Sequence, residues 1–157
     1  MTNPPLYLED YANALGHVVI SHNAMEAALA ELADLLWQGA EGDAVDTERL
    51  MGRRSLDERL TMMAGRLNDP GLRGNYKASW IDDVDRLLVS CRPLVAQRHE
   101  VVHGIIKTHE AGGETGWIDG LDDWESVEEL LELSDALDRQ AEALISLIAD
   151  AGPNRLG

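Results

Sequence analysis

The feature that most limits what this chain can become is the spacing of its apolar residues. From about residue 6 to residue 37 they step by threes and fours: Leu8, Tyr11, Leu15, Val18, Met25, Leu29, Leu32 and Leu36, with His22 standing in the same stripe. A stripe of that period is one face of an α-helix, and neighbouring helices with matching stripes can cover it. Gly39 and Gly42 follow in an acidic stretch, where such a helix stops. A second helix is predicted from Ser55, because Ser55-Leu56-Asp57-Glu58 has the spacing of a capping box. Leu56, Leu60, Met63 and Leu67 mark its buried face, and Asn68-Asp69-Pro70-Gly71 closes it with strong turn chemistry. Ahead of it, a further helical turn is predicted over 47–51, broken at Gly52.

The third helix is predicted from Ser79 as N-cap, with the register Trp80/Ile81, Val84, Leu88, Cys91, Val95, then Arg98, Val102 and Ile105. Pro93 lacks the backbone donor and crowds the carbonyl four residues back, which predicts a kink or restart near 89–93. Gly104 is suited to a left-handed helix cap. Beyond it, Ile105–His109 and Trp117–Gly120 flank Ala111-Gly112-Gly113 and read as two short strands. Ser126-Val127-Glu128-Glu129 caps a last helix that buries Leu130, Leu131, Leu137, Leu144, Ile145 and Ile148, and Ala151-Gly152-Pro153 ends it. The expected architecture is all-α: one domain over residues 1–157, an antiparallel four-helix bundle with a short hairpin or loop insert at about 104–120.

The interior has no Phe, so Leu, Val, Ile, Ala and Met must fill it. No apolar run is long enough to span a bilayer, and the N-terminus lacks the basic start and apolar centre of a secretory signal. A lone Cys91 excludes an intramolecular disulfide and fits a reducing compartment, so a cytoplasmic location is expected. A formal net charge of -16 argues against a general nucleic-acid coat protein. The charge is unevenly placed. Residues 1–48 hold nine acids and no Lys or Arg, residues 49–109 hold eleven basic residues against seven acids, and residues 110–157 hold two against thirteen. Acidic ends are often no more than solvated helix faces; the functional alternative is a locally positive pocket for an anion in the middle third. Arg49, Arg53 and Arg54 cluster there and could add phosphate contacts if they face the site.

That middle third contains Arg98-His99-Glu100-Val101-Val102-His103-Gly104, the one place where chemically capable side chains crowd together. Arg98 falls where the register calls for an apolar residue, and a buried guanidinium is costly unless paired. It therefore either pairs with an acid of the first or last helix, as a brace, or waits for an anionic ligand. His22, alone in the first apolar stripe, reads as a hydrogen-bonded structural residue.

Two chemistries fit the stretch. His99-Glu100-Val101-Val102-His103 matches HExxH, the pattern that places two histidines on one helix face to share a zinc while the glutamate activates water. His109 stands where the long metzincin form has its third histidine, but Ile106 occupies that motif's glycine position and no Met follows to form a Met-turn. Zincin proteases also carry a sheet ahead of the motif helix, where this chain has helices. A non-proteolytic metal site on His99 and His103 stays open as the alternative.

Read from Arg98 instead, Arg98-His99-x-x-x-His103-Gly104 resembles the signature of the HEPN-like superfamily: an Arg, commonly followed by a polar Asn, Asp or His, then a His after four to six intervening residues, near the end of the third helix of a four-helix bundle. The resemblance in helix order covers about residues 7–150; the insert at 104–120 and the acidity depart from it. It implies a metal-independent endoribonuclease of toxin or defence type, working as a homodimer on RNA. It also implies an antitoxin or other inhibitory protein as a possible partner. Arg98 and His103 are then the expected catalytic pair, His99, Glu100 and Lys107 the supporting residues, with no cofactor or membrane involved. A non-catalytic RNA- or protein-interaction module of the same superfamily is the alternative. The chemistry is sound in itself: histidine moves protons near neutral pH, and arginine offers a fixed cationic fork to phosphate oxygens.

Overall fold

The structure is a computed structural model that describes residues 8–38, 52–111 and 124–157, with side chains described over 9–38, 52–101 and 127–157. The described residues form five helices: α1 (Leu8–Trp37), α2 (Leu56–Arg66), a single turn α3 (Pro70–Arg73), α4 (Ala78–Ala111) and α5 (Trp124–Ala149). The fold is all-helical, and among the described residues the one β-type contact is an isolated bridge, Tyr76 to Arg155. None of the described helices is long and apolar enough to cross a membrane.

Local chemistry explains most boundaries. Ser55 caps α2 by accepting a hydrogen bond from the Glu58 N–H at 3.2 Å, as the capping-box spacing anticipates. Asp69 caps α3, with Pro70 in the first turn, where its missing N–H costs nothing. α4 starts one residue before Ser79; the Lys77 carbonyl accepts from the N–H groups of Trp80 and Ile81. α5 starts at Trp124, so Ser126 lies inside it rather than capping it.

The largest departure concerns the insert. Residues 105–111 continue α4 without a break and form no strand. Gly104 stays helical because one glycine inside a long helix costs only about 1 kcal/mol relative to alanine, which neighbouring turns offset. A left-handed cap needs a positive φ, and among the described residues only Gly157 has one. The rest of the expected hairpin, and the expected turn over 47–51 with Arg49, lie outside the described residues. Pro93 likewise sits within α4 without ending it.

The stripes pack as their periods require. Val18, Met25, Leu32 and Leu36 of α1, Leu60 and Met63 of α2, Trp80, Ile81, Val84 and Leu88 of α4 and Leu137 and Leu144 of α5 form one buried cluster. On α5 the buried positions are Val127, Leu130, Leu133, Ser134, Leu137, Ala141 and Leu144; Leu131 and Ile145, expected inside, are 40% and 54% exposed. Each follows a buried residue, and one step turns the helix by about 100°, so both leave the stripe.

Cross-helix hydrogen bonds give directions. The Trp80 indole donates to the Leu147 carbonyl at 3.0 Å and the Gln140 amide to the Leu87 carbonyl at 2.8 Å, so α4 and α5 are antiparallel. Glu26 meets Arg59 at 3.0 Å, and Arg66 donates to the Leu36 carbonyl at 2.9 Å; α1 and α2 therefore run in broadly the same direction. A strictly alternating antiparallel order does not describe that pair. α1 packs mainly on α5, where the buried hydroxyls of Ser21 and Ser134 lie 2.8 Å apart. The C-terminus is tied to the start of α4 by Lys77 N–H to the Asn154 carbonyl at 2.9 Å and Leu156 N–H to the Asn75 carbonyl at 2.8 Å.

Candidate functional site

A cleft of about 700 Å³ opens where α1, the start of α2 and the middle of α4 meet. α1 contributes His22 and Glu26, the α2 start contributes Ser55, Leu56 and Asp57, and α4 contributes Arg92, Val95, Arg98, His99 and Glu100. Helical register puts Arg98 there. Cys91 is buried, Val95 and Arg98 are half-buried, and these positions continue the inward stripe of α4. His22 reaches the cleft for the same reason on α1, between buried Val18 and Met25.

Most of the polar groups lining this cleft already have partners. Arg92 is held by Asp57 at 2.9 Å and by the Thr61 hydroxyl at 3.0 Å. Glu26 is engaged by Arg59, and the Ser55 hydroxyl serves as the α2 cap. Arg98 differs. No ion pair with it occurs among the described residues, and its Nε–H is buried without a hydrogen-bond partner. The brace reading required an acid from the first or last helix, and no described acid of α1 or α5 fills that place.

His22 is the second unsatisfied group. It is 5% exposed, and its Nδ1 has no hydrogen-bond partner among the described residues. The nearest Glu26 carboxylate oxygen is 3.9 Å away, too far for a hydrogen bond. Burial pushes the imidazole below the ordinary histidine value, the Arg98 charge pushes it the same way, and Glu26 opposes both. The imidazole is thus held neutral at neutral pH, beside a cation.

The sequence-derived residues divide accordingly. Arg98 lines the cleft, and His99 and Glu100 line it as exposed residues. His103 and Lys107 lie on the helical backbone of α4, with side chains outside the described set. On one α-helix, positions 98 and 103 are about 140° apart around the axis and roughly 7.5 Å along it. α4 alone therefore does not aim both positions at one point, and among the described residues Arg98 acts electrostatically on His22. His22, expected from the sequence to be a hydrogen-bonded structural residue, has an Nδ1 without a hydrogen-bond partner among the described residues. The available signal was a paired one: two polar residues, His22 and Arg98, each interrupting an apolar stripe.

Metal ligation gains little. Among the described residues no group of three His, Cys, Asp or Glu side chains is arranged to hold an ion. Because α4 runs on to Ala111, positions 99 and 109 are separated by about 15 Å along one helix axis. His109 therefore cannot complete a site with His99. Positions 99 and 103, about 40° apart, keep the spacing of a two-histidine site.

Comparison with protein-family models, with curated proteins and with solved structures finds no match to this chain. The functional reading accordingly rests on the cleft and on the motif whose first three residues line it.

Proposed function

We propose that this chain is a HEPN-like four-helix module, built on α1, α2, α4 and α5, that acts on RNA as a metal-independent endoribonuclease. The observation that carries the reading is Arg98, a half-buried residue lining a cleft, whose buried Nε–H has no partner among the described residues. A side chain held that way is suited to an anionic ligand, and the Arg98-x4-His103-Gly104 spacing gives the ligand a chemistry.

In this reading the RNA's own 2′-hydroxyl attacks the adjacent phosphorus. A base removes the hydroxyl proton, a P–O bond forms to the 2′-oxygen, and the bond to the 5′-oxygen breaks as that oxygen takes a proton. The products are a 2′,3′-cyclic phosphate and a free 5′-hydroxyl. Arg98 stabilises the charge gathering on the non-bridging oxygens, and His103 moves the protons. The angular separation of positions 98 and 103 is why a homodimer is part of the proposal: a two-fold axis near this turn of α4 would let one copy's Arg98 work with the other's His103. His99 orients the reacting groups or contacts substrate, with Glu100 and Lys107 as weaker supports. A toxin or defence role in the cytoplasm, restrained by an antitoxin or other inhibitory protein, goes with this activity.

The test is cleavage of a labelled structured RNA by wild type, His103→Ala and Arg98→Ala, each with and without EDTA. Cleavage that persists in EDTA and disappears in both variants, with helical content unchanged, is the expected result. Loss of cleavage in EDTA would transfer the site to a metal on His99 and His103. RNA retention without cleavage would leave the non-catalytic module.

A further inference from the structure

Two side chains that line one cleft from two helices each carry a buried nitrogen with no partner among the described residues: Arg98, at Nε, on α4 and His22, at Nδ1, on α1. A buried donor or acceptor left unsatisfied is costly, so two on side chains lining the same cleft point to a missing third component. The component must suit a fixed cation on one side and an imidazole on the other. An anion with several acceptor oxygens does so once His22 is protonated, because every nitrogen facing it is then a donor.

We propose that the cleft between α1 and α4 binds a phosphodiester through Arg98 and His22 together, and that binding draws a proton onto His22. The proposal rests on the reading of Arg98 as a phosphate-holding residue, and adds a second residue and a pH rule to it. His22 is here a binding residue from α1, outside the motif on α4. The proton is taken from solvent onto an imidazole nitrogen; no bond other than N–H forms.

The charged and titratable surroundings of His22 set the sign. On its own helix stands Glu26, which Arg59 of α2 engages at 3.0 Å. From α2 the cleft receives Asp57, paired with Arg92 of α4. From α4 come Arg98, His99 and Glu100. From α5 the Ser134 hydroxyl reaches α1 beside His22, bonded to Ser21. Burial and the Arg98 charge together keep His22 neutral and outweigh the opposing Glu26 carboxylate, which Arg59 also engages. A bound anion cancels the Arg98 charge and makes the imidazolium favourable, so affinity must rise as pH falls. For one linked proton, the dissociation constant falls up to about tenfold per pH unit across the window between the free and bound values of His22.

The experiment uses the full chain and an uncleavable probe, a tetradeoxynucleotide, with inorganic sulfate as the small-anion comparison. Both probes keep constant charge over the working range, so proton uptake belongs to the protein. Calorimetry in two buffers of different ionisation heat counts the protons, and histidine ring NMR follows His22, assigned by its loss in His22→Gln. Uptake of up to one proton, a rise in the His22 titration midpoint on adding the tetradeoxynucleotide, loss of the pH slope in His22→Gln and loss of binding in Arg98→Ala are expected. Zero proton uptake in wild type, or an unmoved His22 signal, overturns the proposal without relying on any variant's folding. Binding of sulfate but not of the tetradeoxynucleotide overturns the phosphodiester assignment. The outcome is separable from the nuclease reading: oligonucleotide binding with proton uptake but no RNA cleavage defeats only the latter. His103-dependent cleavage with no proton uptake defeats only the former.

Discussion

Replacing Arg98 with methionine should make the fold more stable while removing its site. The side chain continues an inward stripe after Cys91 and Val95, yet it carries a buried Nε–H with no partner among the described residues. The unmet donor alone costs about 1–3 kcal/mol. The guanidinium is only half-buried and keeps part of its hydration, so removing the charge itself adds little. Methionine offers an unbranched apolar stem that adapts to an irregular gap. A net gain of about 1 kcal/mol is expected, or about 2–4 °C in Tm for a chain of this size. Urea unfolding followed by circular dichroism should show a higher midpoint with an unchanged slope. The His22 titration should move up in the same variant, since Arg98 is one of two influences holding it down, burial being the larger. A loss of about 3–5 kcal/mol would refute the reasoning, because that is the signature of breaking a buried ion pair, and Arg98 would then be a brace.

Three further outcomes follow from the same structure. Ser21→Ala or Ser134→Ala alone should cost about 1–3 kcal/mol by stranding the partner hydroxyl, whereas the double variant should lose less than the sum of the two; a coupling energy of zero in the double-mutant cycle would dismiss the 2.8 Å hydrogen bond as a contributor. His22 has a folded-state value below its ordinary 6.5, so below about pH 6.5 the unfolded chain binds the proton first. Its contribution to stability is full above that pH and drains away as pH falls through the lower folded value. The stability difference between wild type and His22→Gln should change over that window and be flat above it; a difference that drifts above neutral pH counts against this. Cys91 is buried and its thiol is pushed up, by burial most of all, against a hydrogen bond from Gln140. It should react slowly with a thiol-specific disulfide reagent at pH 8 in the native protein and rapidly in urea, and equal rates would contradict its burial.

How far the sequence reached can be judged element by element. The stripes of α1 and α2, the Ser55 cap and the turn at Asn68–Gly71 were legible, because helix period and cap chemistry are local and survive without knowledge of neighbours. Gly104 was misread for the complementary reason. A glycine is compatible with both a helix interior and a helix end, and the surrounding chain decides between them, which a single position does not reveal. Leu131 and Ile145 show the same limit at the level of faces: they sit one residue off the buried stripe, and apolarity alone does not tell inside from edge.

The sequence by itself determined that this is a helical protein, and it singled out Arg98 as a cation in an apolar register. Periodicity and residue type are enough for both. Only the tertiary structure decided what Arg98 faces. It set α1 and α2 in broadly the same direction, brought His22 across from a helix more than seventy residues earlier, and left one buried nitrogen of each without a hydrogen-bond partner among the described residues. Which side chains converge depends on helix direction and axial offset, and those follow from packing whole stripes together.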